Sequence, residues 1–513
     1  MILENKNKLL FKTPLAILGL IGAIVIFLLT SRYGAGITPD SAAYISAARN
    51  LAEGNGFLTY NGLPLVVQPP LYPIILAVIK KIIVIDPQIS AGYVNALLFG
   101  LIIYLSGLLL LRHLKSFALI FLGTVSVLIS FALVQASLMA LSELLFIFLL
   151  LLFLYFFGTY QAKRDFVSFF LFAISAALAC LTRYTGVIII LTGIICIILW
   201  TRNTKKEKFW HSLIFLLITV LPISLWIIRN YFLAGTLVGL RAASSYTLFE
   251  NFRFFYDTVL SWYLPLNLTG LFLSFIFLII TIWILFKLDP AKSSDREAIK
   301  LIGPSLIFVL FYSGIIVVSS TTTAYDQISD RLLSPIYIPL IFILFFISDK
   351  ILSWLTKTFH LKLIPVLFIT GIALLISYPA RNTIHSIEDY NELSGWGYSS
   401  DPWRKSETIA YLTRHELLGK SYTLYSNEPA AVYILTNLTT KRSPAKTFYN
   451  SPQLFNVNEN QKEGWLSGEN VCLVWFDKTN RSFLFTIDEL QKNITMTKVA
   501  HLKDGEIYTF TVK

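Results

Sequence analysis

Residues 37–49 read ITPDSAAYISAAR and directly follow the first long apolar run of the chain. Asp40 lies behind a proline and before a short segment in which Tyr44 and Leu51 share one helical face. This segment is too short and too polar to span a bilayer, so we expect it to lie in the membrane interface. The carboxylate either caps the helix over residues 41–53 or has a chemical role.

The composition is that of a polytopic α-helical membrane protein. Of its 513 residues 55% are hydrophobic and 14% charged, and the mean hydropathy is +0.67. Soluble proteins carry about 25% charged residues. The net charge of +12 lies largely in short loops between apolar runs, as the positive-inside rule expects. This distribution argues against nucleic acid binding.

Apolar runs long enough to cross a bilayer recur along most of the chain. We predict about eleven spans, at residues 14–33, 90–111, 116–136, 141–160, 166–181, 185–200, 212–229, 268–287, 301–319, 332–348 and 362–378. The intervening loops alternate between short basic ones and longer aromatic or acidic ones. We therefore expect a multi-pass plasma membrane protein with a cytoplasmic N-terminus, an uncleaved first helix and an extracytoplasmic C-terminus.

The sequence divides into two predicted domains. Residues 1–379 form the transmembrane domain, with interfacial helices in the first outer loop, residues 34–89. Residues 380–513 read as a soluble extracytoplasmic α/β domain. Strands are predicted at 422–426, 471–476, 495–502 and 506–512, and helices at 428–435 and 487–492.

Six short motifs occur in a fixed order along the transmembrane domain. They are TPDSAAYISAARNLAEGNGF (38–57), QPPLYP (68–73), LSELLF (141–146), LTRY (181–184), WIIRNY (226–231) and DRLLSP (330–335). In order and topological placement they resemble the GT-C glycosyltransferases. More narrowly, they are similar to the family 39-like branch, which includes protein O-mannosyltransferases and the aminoarabinose transferase of lipid A. The resemblance covers about 380 residues and implies a GT-C fold.

The resemblance also implies an inverting transfer of a sugar from a polyprenyl-phosphate donor to an acceptor hydroxyl, outside the membrane. The acidic residue of the first outer loop is the catalytic base in this family, and by position that residue is Asp40. Several relatives carry a second acidic residue next to it, where this chain has Ser41. If a second carboxylate is needed, Glu143 is the first candidate, followed by Asp326 and Asp330. The loop has no Asp-x-Asp, so we expect metal-independent transfer, with a divalent cation as the open alternative.

The leaving lipid phosphate needs fixed cations, and the planar guanidinium of arginine suits phosphate. Four arginines lie at or beyond the predicted outer ends of spans, against the positive-inside trend: Arg183, Arg229, Arg241 and Arg331. We predict that they bind the lipid phosphate, with Tyr44 as a further substrate contact. The alternative for each arginine is snorkelling to lipid headgroups or pairing with a carboxylate.

Two other classes of function remain open at this point. One is a polytopic transporter or lipid flippase, which would place ionisable groups near span midpoints or use broken helices in related halves. The other is a non-catalytic subunit of glycan assembly, in which Asp40 would be dispensable. The sequence leaves the acceptor open among a protein, a lipid and a polysaccharide.

Overall fold

The computed structural model of this protein describes residues 2–201, 203–287, 293–358, 363–415, 421–462, 465, 470–479 and 481–511. Helices make up its N-terminal part. They are α1 (Ile2–Tyr33), α2 (Pro39–Glu53), α3 (Leu71–Ile83), α4 (Pro87–His113), α5 (Phe117–Leu128), α6 (Phe131–Leu138), α7 (Glu143–Lys163), α8 (Phe166–Thr182), α9 (Val187–Trp200), α10 (Lys205–Ala234), α11 (Leu248–Ser261), α12 (Leu268–Lys287), α13 (Ser293–Thr322), α14 (Asp330–Thr358) and α15 (Leu363–Glu392).

Every predicted span coincides with a helix or, in one case, with a helix pair. Seven helices of the described chain are long and apolar enough to cross a membrane: α1, α4, α7, α10, α13, α14 and α15. The third predicted span is divided into α5 and α6, which meet at an angle of 41°. Because α8 and α9 are shorter, with 17 and 14 residues, the number of eleven spans stays a prediction.

The centre of the helical part is α14, which is buried along most of its length. It begins at Asp330, packs against α13 and α5, and carries apolar side chains on several faces. An all-round apolar helix in the middle of a bundle is expected to be buried in this way. The N-terminal end of α14 is consequently fixed in place, and that end carries Arg331.

The C-terminal part forms a small α/β domain around one mixed sheet. Its strands are β1 (Thr423–Ser426), β2 (Thr440–Arg442), β3 (Asn470–Phe476), β4 (Thr497–Leu502) and β5 (Gly505–Thr511). Its helices are α16 (Asp401–Arg404), α17 (Glu407–Arg414), α18 (Pro429–Thr436), α19 (Val457–Lys462) and α20 (Ile487–Gln491). The strand order is β2-β1-β3-β5-β4, with β2, β1 and β3 parallel and the other pairs antiparallel.

The predicted strands and helices of this domain are present with small shifts at their ends, and residue 512 lies outside the described residues. The prediction missed β2, which has only three residues. The predicted boundary at residue 379 falls inside α15, which continues through Pro379 to Glu392.

The segment after α1 connects the two parts of the molecule. Gly36 pairs in parallel with Met139 in the turn before α7, and Ile37 pairs in parallel with Gly397 of the C-terminal part. Gly397 has φ +59°, and a Cβ atom there would lie 2.1 Å from the carbonyl oxygen of Ile37. Glycine is therefore required at this junction. The junction brings the start of α2 beside the start of α7 and under the C-terminal domain.

Candidate active site

A cavity of about 640 Å³ lies between the helix ends of the N-terminal part and the C-terminal domain. One wall comes from the start of α2, the end of α8 and the start of α14, including Asp40, Arg183 and Arg331. The other comes from loops of the C-terminal domain, including Glu428 and Arg481. The cavity thus joins residues from both parts of the chain.

Thr38 caps α2. Its Oγ1 accepts a hydrogen bond from the backbone N–H of Ser41, and the Ser41 hydroxyl accepts one from the backbone N–H of Thr38. This capping box satisfies the first turn of the helix without Asp40. The interpretation of Asp40 as the helix cap is therefore wrong, because Thr38 already holds that position.

The Asp40 carboxylate instead faces the cavity. Its Oδ1 accepts a hydrogen bond of 2.9 Å from Gln68 Nε2, and its Oδ2 accepts one from Arg331 Nη2. Its side chain is 38% exposed, so one face of the carboxylate stays open to a ligand. Gln68 comes from the QPPLYP motif, but sequence reasoning did not single it out.

Arg331 connects two carboxylates. While its Nη2 donates to Asp40, its Nε donates to Glu143 Oε1 at 2.8 Å. Arg183 Nη1 lies 2.5 Å from the same Glu143 oxygen. We call Asp40, Glu143, Arg183 and Arg331 the membrane-domain cluster. It brings together four of the residues that the sequence predicted for the site.

Glu143 lies behind this wall. Its side chain is only 1% exposed, and it does not line the described cavity. Its Oε2 has no hydrogen-bond partner among the described residues. A carboxylate buried between two arginines is well placed to fix their positions, whereas Asp40 is the carboxylate that a substrate can reach.

Tyr44 lies one turn after Asp40 on α2 and lines the cavity. Its hydroxyl lies 3.0 Å from Ser142 Oγ, which ties α2 to the residue before α7. Burial, reinforced by the Glu143 carboxylate, raises the pKa of Tyr44 above its usual value, so the hydroxyl keeps its proton. Tyr44 therefore joins the cavity wall as a neutral polar group.

The other predicted residues are divided between the cavity and its surroundings. Arg241 lines the cavity, with its guanidinium over the Tyr325 ring and a hydrogen bond to Val238 O. Asp326 also lines it and accepts a hydrogen bond of 3.0 Å from Tyr449 of the C-terminal domain.

Arg229 and Asp330 are not among the lining residues of the described cavity. Arg229 donates to Leu65 O at 2.6 Å and stacks on Trp226, so it fastens the first outer loop to α10. The carboxylate of Asp330 accepts a hydrogen bond from Trp262 Nε1 at 2.6 Å. Their predicted roles at the substrate stay predictions.

Sequence reasoning missed the wall that the C-terminal domain supplies. Arg481 donates to Glu428 through two nitrogens, Nε at 2.7 Å and Nη2 at 2.8 Å, and the Tyr398 hydroxyl donates to the same carboxylate at 2.8 Å. Burial and the Glu428 charge raise the pKa of Tyr398, so its hydroxyl remains a donor. We call Tyr398, Glu428, Arg442 and Arg481 the C-terminal cluster. The acidic Glu428 directly after β1 was the sequence signal that could have found it.

The cavity carries an excess of positive charge. Counted over the described residues, five arginines and three carboxylates line it: Arg183, Arg241, Arg331, Arg442 and Arg481 against Asp40, Asp326 and Glu428. Such a lining favours an anionic ligand. Among the described residues no group of three or more His, Cys, Asp or Glu side chains is arranged to hold a metal ion.

Fold and site together define a polytopic helical protein with an arginine-lined cavity under a small α/β domain. Residues 62–238 match the family model "Dolichyl-phosphate-mannose-protein mannosyltransferase". A search of curated proteins finds no match.

Among solved structures, the chain is similar to ArnT from Cupriavidus metallidurans in the apo state, with a TM-score of 0.60 at 14% identity over 97% of this chain and 98% of that one. It is equally similar to ArnT from the same organism bound to undecaprenyl phosphate, with a TM-score of 0.61 at 14% identity over 96% and 97% of the two chains.

These comparisons confirm the predicted fold and the predicted resemblance. The chain has the GT-C fold, and it resembles protein O-mannosyltransferases and ArnT. The structural match extends over the C-terminal domain, which the sequence motifs did not reach. Family match and fold together support a glycosyltransferase of the GT-C type.

Proposed function

We propose that this protein is a membrane glycosyltransferase that moves a sugar from a polyprenyl-phosphate donor to an acceptor hydroxyl, with inversion at the anomeric carbon. The observation that carries the proposal is the open carboxylate of Asp40 in an arginine-lined cavity of a GT-C fold. The ArnT structure bound to undecaprenyl phosphate supports a carrier of this chemistry. We further propose that the cavity opens on the extracytoplasmic side.

In the proposed reaction, the acceptor oxygen attacks the anomeric carbon while Asp40 takes its proton. The bond between the anomeric carbon and the phosphate oxygen breaks, and polyprenyl phosphate leaves with the bonding electrons. Arg331 and Arg183 supply fixed positive charge where this negative charge develops. The exposed Arg241 is the third candidate for a phosphate contact.

We assign Glu143 as a positioning residue rather than a second base. Its buried carboxylate accepts from both Arg331 and Arg183, and so sets the orientation of the two guanidinium groups. Through Arg331 it also fixes the carboxylate of Asp40. Each charge in this chain of contacts has an opposite charge beside it, as buried ions require.

The proposal includes transfer without a divalent cation. The arginines of the cavity can take the charge-stabilising role that a metal plays in other transferases. Activity that survives a chelator such as EDTA would agree with this part of the proposal, and activity restored only by added Mg²⁺ or Mn²⁺ would contradict it.

The decisive experiment is Asp40→Asn in membranes supplied with polyprenyl-phosphate sugars. Loss of the general base should lower the transfer rate by about 100- to 10,000-fold. Undecaprenyl phosphate binding should persist, because Asn keeps the shape of the side chain. Glu53→Gln on the same helix is the matched control, since Glu53 pairs with Lys80 outside the cavity. Full activity of Asp40→Asn would end the catalytic claim for Asp40.

A further inference from the structure

The C-terminal cluster lies at one end of the parallel strands of its domain. Glu428 follows the end of β1, Arg442 is the last residue of β2, and Arg481 lies in the loop after β3. β1 is the middle strand of these three, and the chain leaves it toward β2 on one side and later reaches β3 on the other. Ligands of open α/β sheets bind at the carboxyl ends of strands where the strand order reverses in this way.

Arg481 is held as a rigid donor. Glu428 is 2% exposed, and each of its two carboxylate oxygens accepts one hydrogen bond from Arg481. Tyr398 secures one of these oxygens from a second direction. A guanidinium has five N–H groups, and Glu428 takes two. The side chain of Arg481 is 28% exposed and lines the cavity, so its remaining N–H edge is accessible from there.

The stability of the domain is a weak reason for burying the ion pair of Glu428 and Arg481. A buried ion pair often stabilises a protein no more than apolar side chains of the same volume. Arg442 stacks on Phe455 and Phe483, and Phe483 lines the cavity together with both arginines. Arg442 and Arg481 both line this wall, so guanidinium groups face the cavity here. Such a wall suits a phosphate or carboxylate group.

The two arginine clusters belong to different parts of the chain. A carrier phosphate is confined to headgroup depth by its polyprenyl chain. The C-terminal cluster belongs to the α/β domain, whereas the membrane-domain cluster lies at the ends of helices α2, α7, α8 and α14, and residues of both line one cavity. An acceptor that extends out of the membrane can place an anionic group at the C-terminal cluster.

We infer that the C-terminal cluster is a second anion-binding subsite, which holds a phosphate or carboxylate group of the sugar acceptor while the membrane-domain cluster holds the carrier phosphate. The inference rests on the proposed function, because it assigns an acceptor to the same cavity. It gives the C-terminal domain a role in choosing acidic acceptors over neutral ones.

The test uses the full-length protein purified in detergent and two probes, glucose 6-phosphate and undecaprenyl phosphate. Binding of each is followed through the thermal unfolding midpoint, with glucose as the uncharged control. In Arg481→Gln the Kd for glucose 6-phosphate should rise by about tenfold or more, since a charge-assisted contact is lost. The Kd for undecaprenyl phosphate should stay within about threefold. Arg414→Gln, an exposed arginine on α17, should change neither.

Arg481→Lys provides a second variant if Arg481→Gln does not fold. It keeps the charge but loses the planar two-point contact, so an intermediate loss of glucose 6-phosphate binding is expected. The source of the anion is tested by adding glucose 6-phosphate to protein saturated with undecaprenyl phosphate. Simultaneous binding supports a separate acceptor subsite. Mutual exclusion would mean that both probes use the carrier phosphate site, and would overturn the inference.

The two hypotheses fail in different ways. Unchanged glucose 6-phosphate binding in Arg481→Gln, or equal binding of glucose, would overturn the subsite and leave the proposed function standing. If undecaprenyl phosphate does not bind and no sugar is transferred, the proposed function fails. Arg481-dependent binding of glucose 6-phosphate would then still stand as an anion site, without an acceptor role.

Discussion

Both walls of the cavity are built on a buried glutamate held by arginine, but they differ in which charged groups a ligand can reach. Glu143 shares one oxygen between Arg183 and Arg331, and its other oxygen has no partner among the described residues. Glu428 accepts hydrogen bonds at both oxygens from Arg481 and Tyr398. The first wall also presents an accessible carboxylate, Asp40, whereas the second presents mainly guanidinium edges.

This difference separates a wall suited to chemistry from a wall suited to binding. A general base must reach the proton of its substrate, and Asp40 meets that requirement. A recognition site instead needs donors in a fixed orientation, which the two-point contact between Glu428 and Arg481 supplies. Substitutions on the two walls should therefore affect different measurable quantities.

Removing either of the two buried glutamates should give the largest loss in the free energy of unfolding, and the two losses should differ. Glu143→Ala leaves Arg183 and Arg331 without their shared partner and should lower the free energy of unfolding by about 3–5 kcal/mol. Glu428→Ala should lower it by about 1.5–3 kcal/mol, because Arg481 can turn toward water in the cavity. Thermal unfolding of the purified variants measures both.

The exposed pair of Glu53 and Lys80 is the reference for these two substitutions. Glu53→Ala should change the free energy of unfolding by no more than about 1 kcal/mol. Equal losses in all three variants would show that the buried glutamates do not differ from a surface ion pair.

Arg331→Lys tests whether the membrane-domain cluster depends on the shape of the cation at position 331. Arg331 reaches Asp40 and Glu143 through separate nitrogens, and a lysine has only one. We expect the transfer rate to fall about 100-fold while glucose 6-phosphate binding is retained. Arg253→Lys, at an exposed arginine of α11, is the matched control and should keep its rate. A fully active Arg331→Lys would show that transfer does not need the contacts of Arg331 with both carboxylates through separate nitrogens.

Thr38→Ala tests how far the position of Asp40 depends on the helix that carries it. Loss of the capping hydrogen bond should lower the free energy of unfolding by about 1 kcal/mol. The transfer rate should fall by less than about tenfold, since Arg331 and Gln68 still hold the carboxylate. Thr247→Ala removes the same kind of cap from α11 and should lower stability without changing the rate. A similar loss of rate in both variants would contradict the prediction.

Removing the carboxylate of Glu506, in the C-terminal domain, should have the smallest effect on stability. Glu506 accepts hydrogen bonds from Lys498 and Tyr508 and contacts His501. Partial burial raises the pKa of Glu506, but these donors outweigh the burial and lower the pKa from 4.5 to about 2. Its contribution to stability is therefore present above about pH 4.5 and is lost as the pH falls toward 2.

The measurement compares thermal unfolding of the wild type and Glu506→Gln as a function of pH. The difference in unfolding temperature should be constant near neutral pH and should shrink as the solution becomes acidic. A difference that does not change with pH would mean that the pKa of Glu506 is not lowered in the folded protein.

Much of the fold was accessible from sequence because it depends on local properties. Apolar runs predict helices at the right places, since length and hydropathy are read within one segment. The break between α5 and α6 was missed, because Ile129 and Ser130 interrupt the helix without a proline or glycine. The short strand β2 was also missed, because a three-residue strand carries too little alternation to be recognised.

The sequence by itself determined that this is a polytopic protein with an amphipathic helix after its first span, and it singled out Asp40 as the carboxylate to examine. The tertiary structure decided which residues meet that carboxylate. Arg331 is separated from it by 291 positions and Arg481 from Glu428 by 53. Contacts over such distances depend on how helices and domains pack, and no periodicity within one segment encodes them. For the same reason only the folded chain reveals that the C-terminal domain forms the second wall of the cavity.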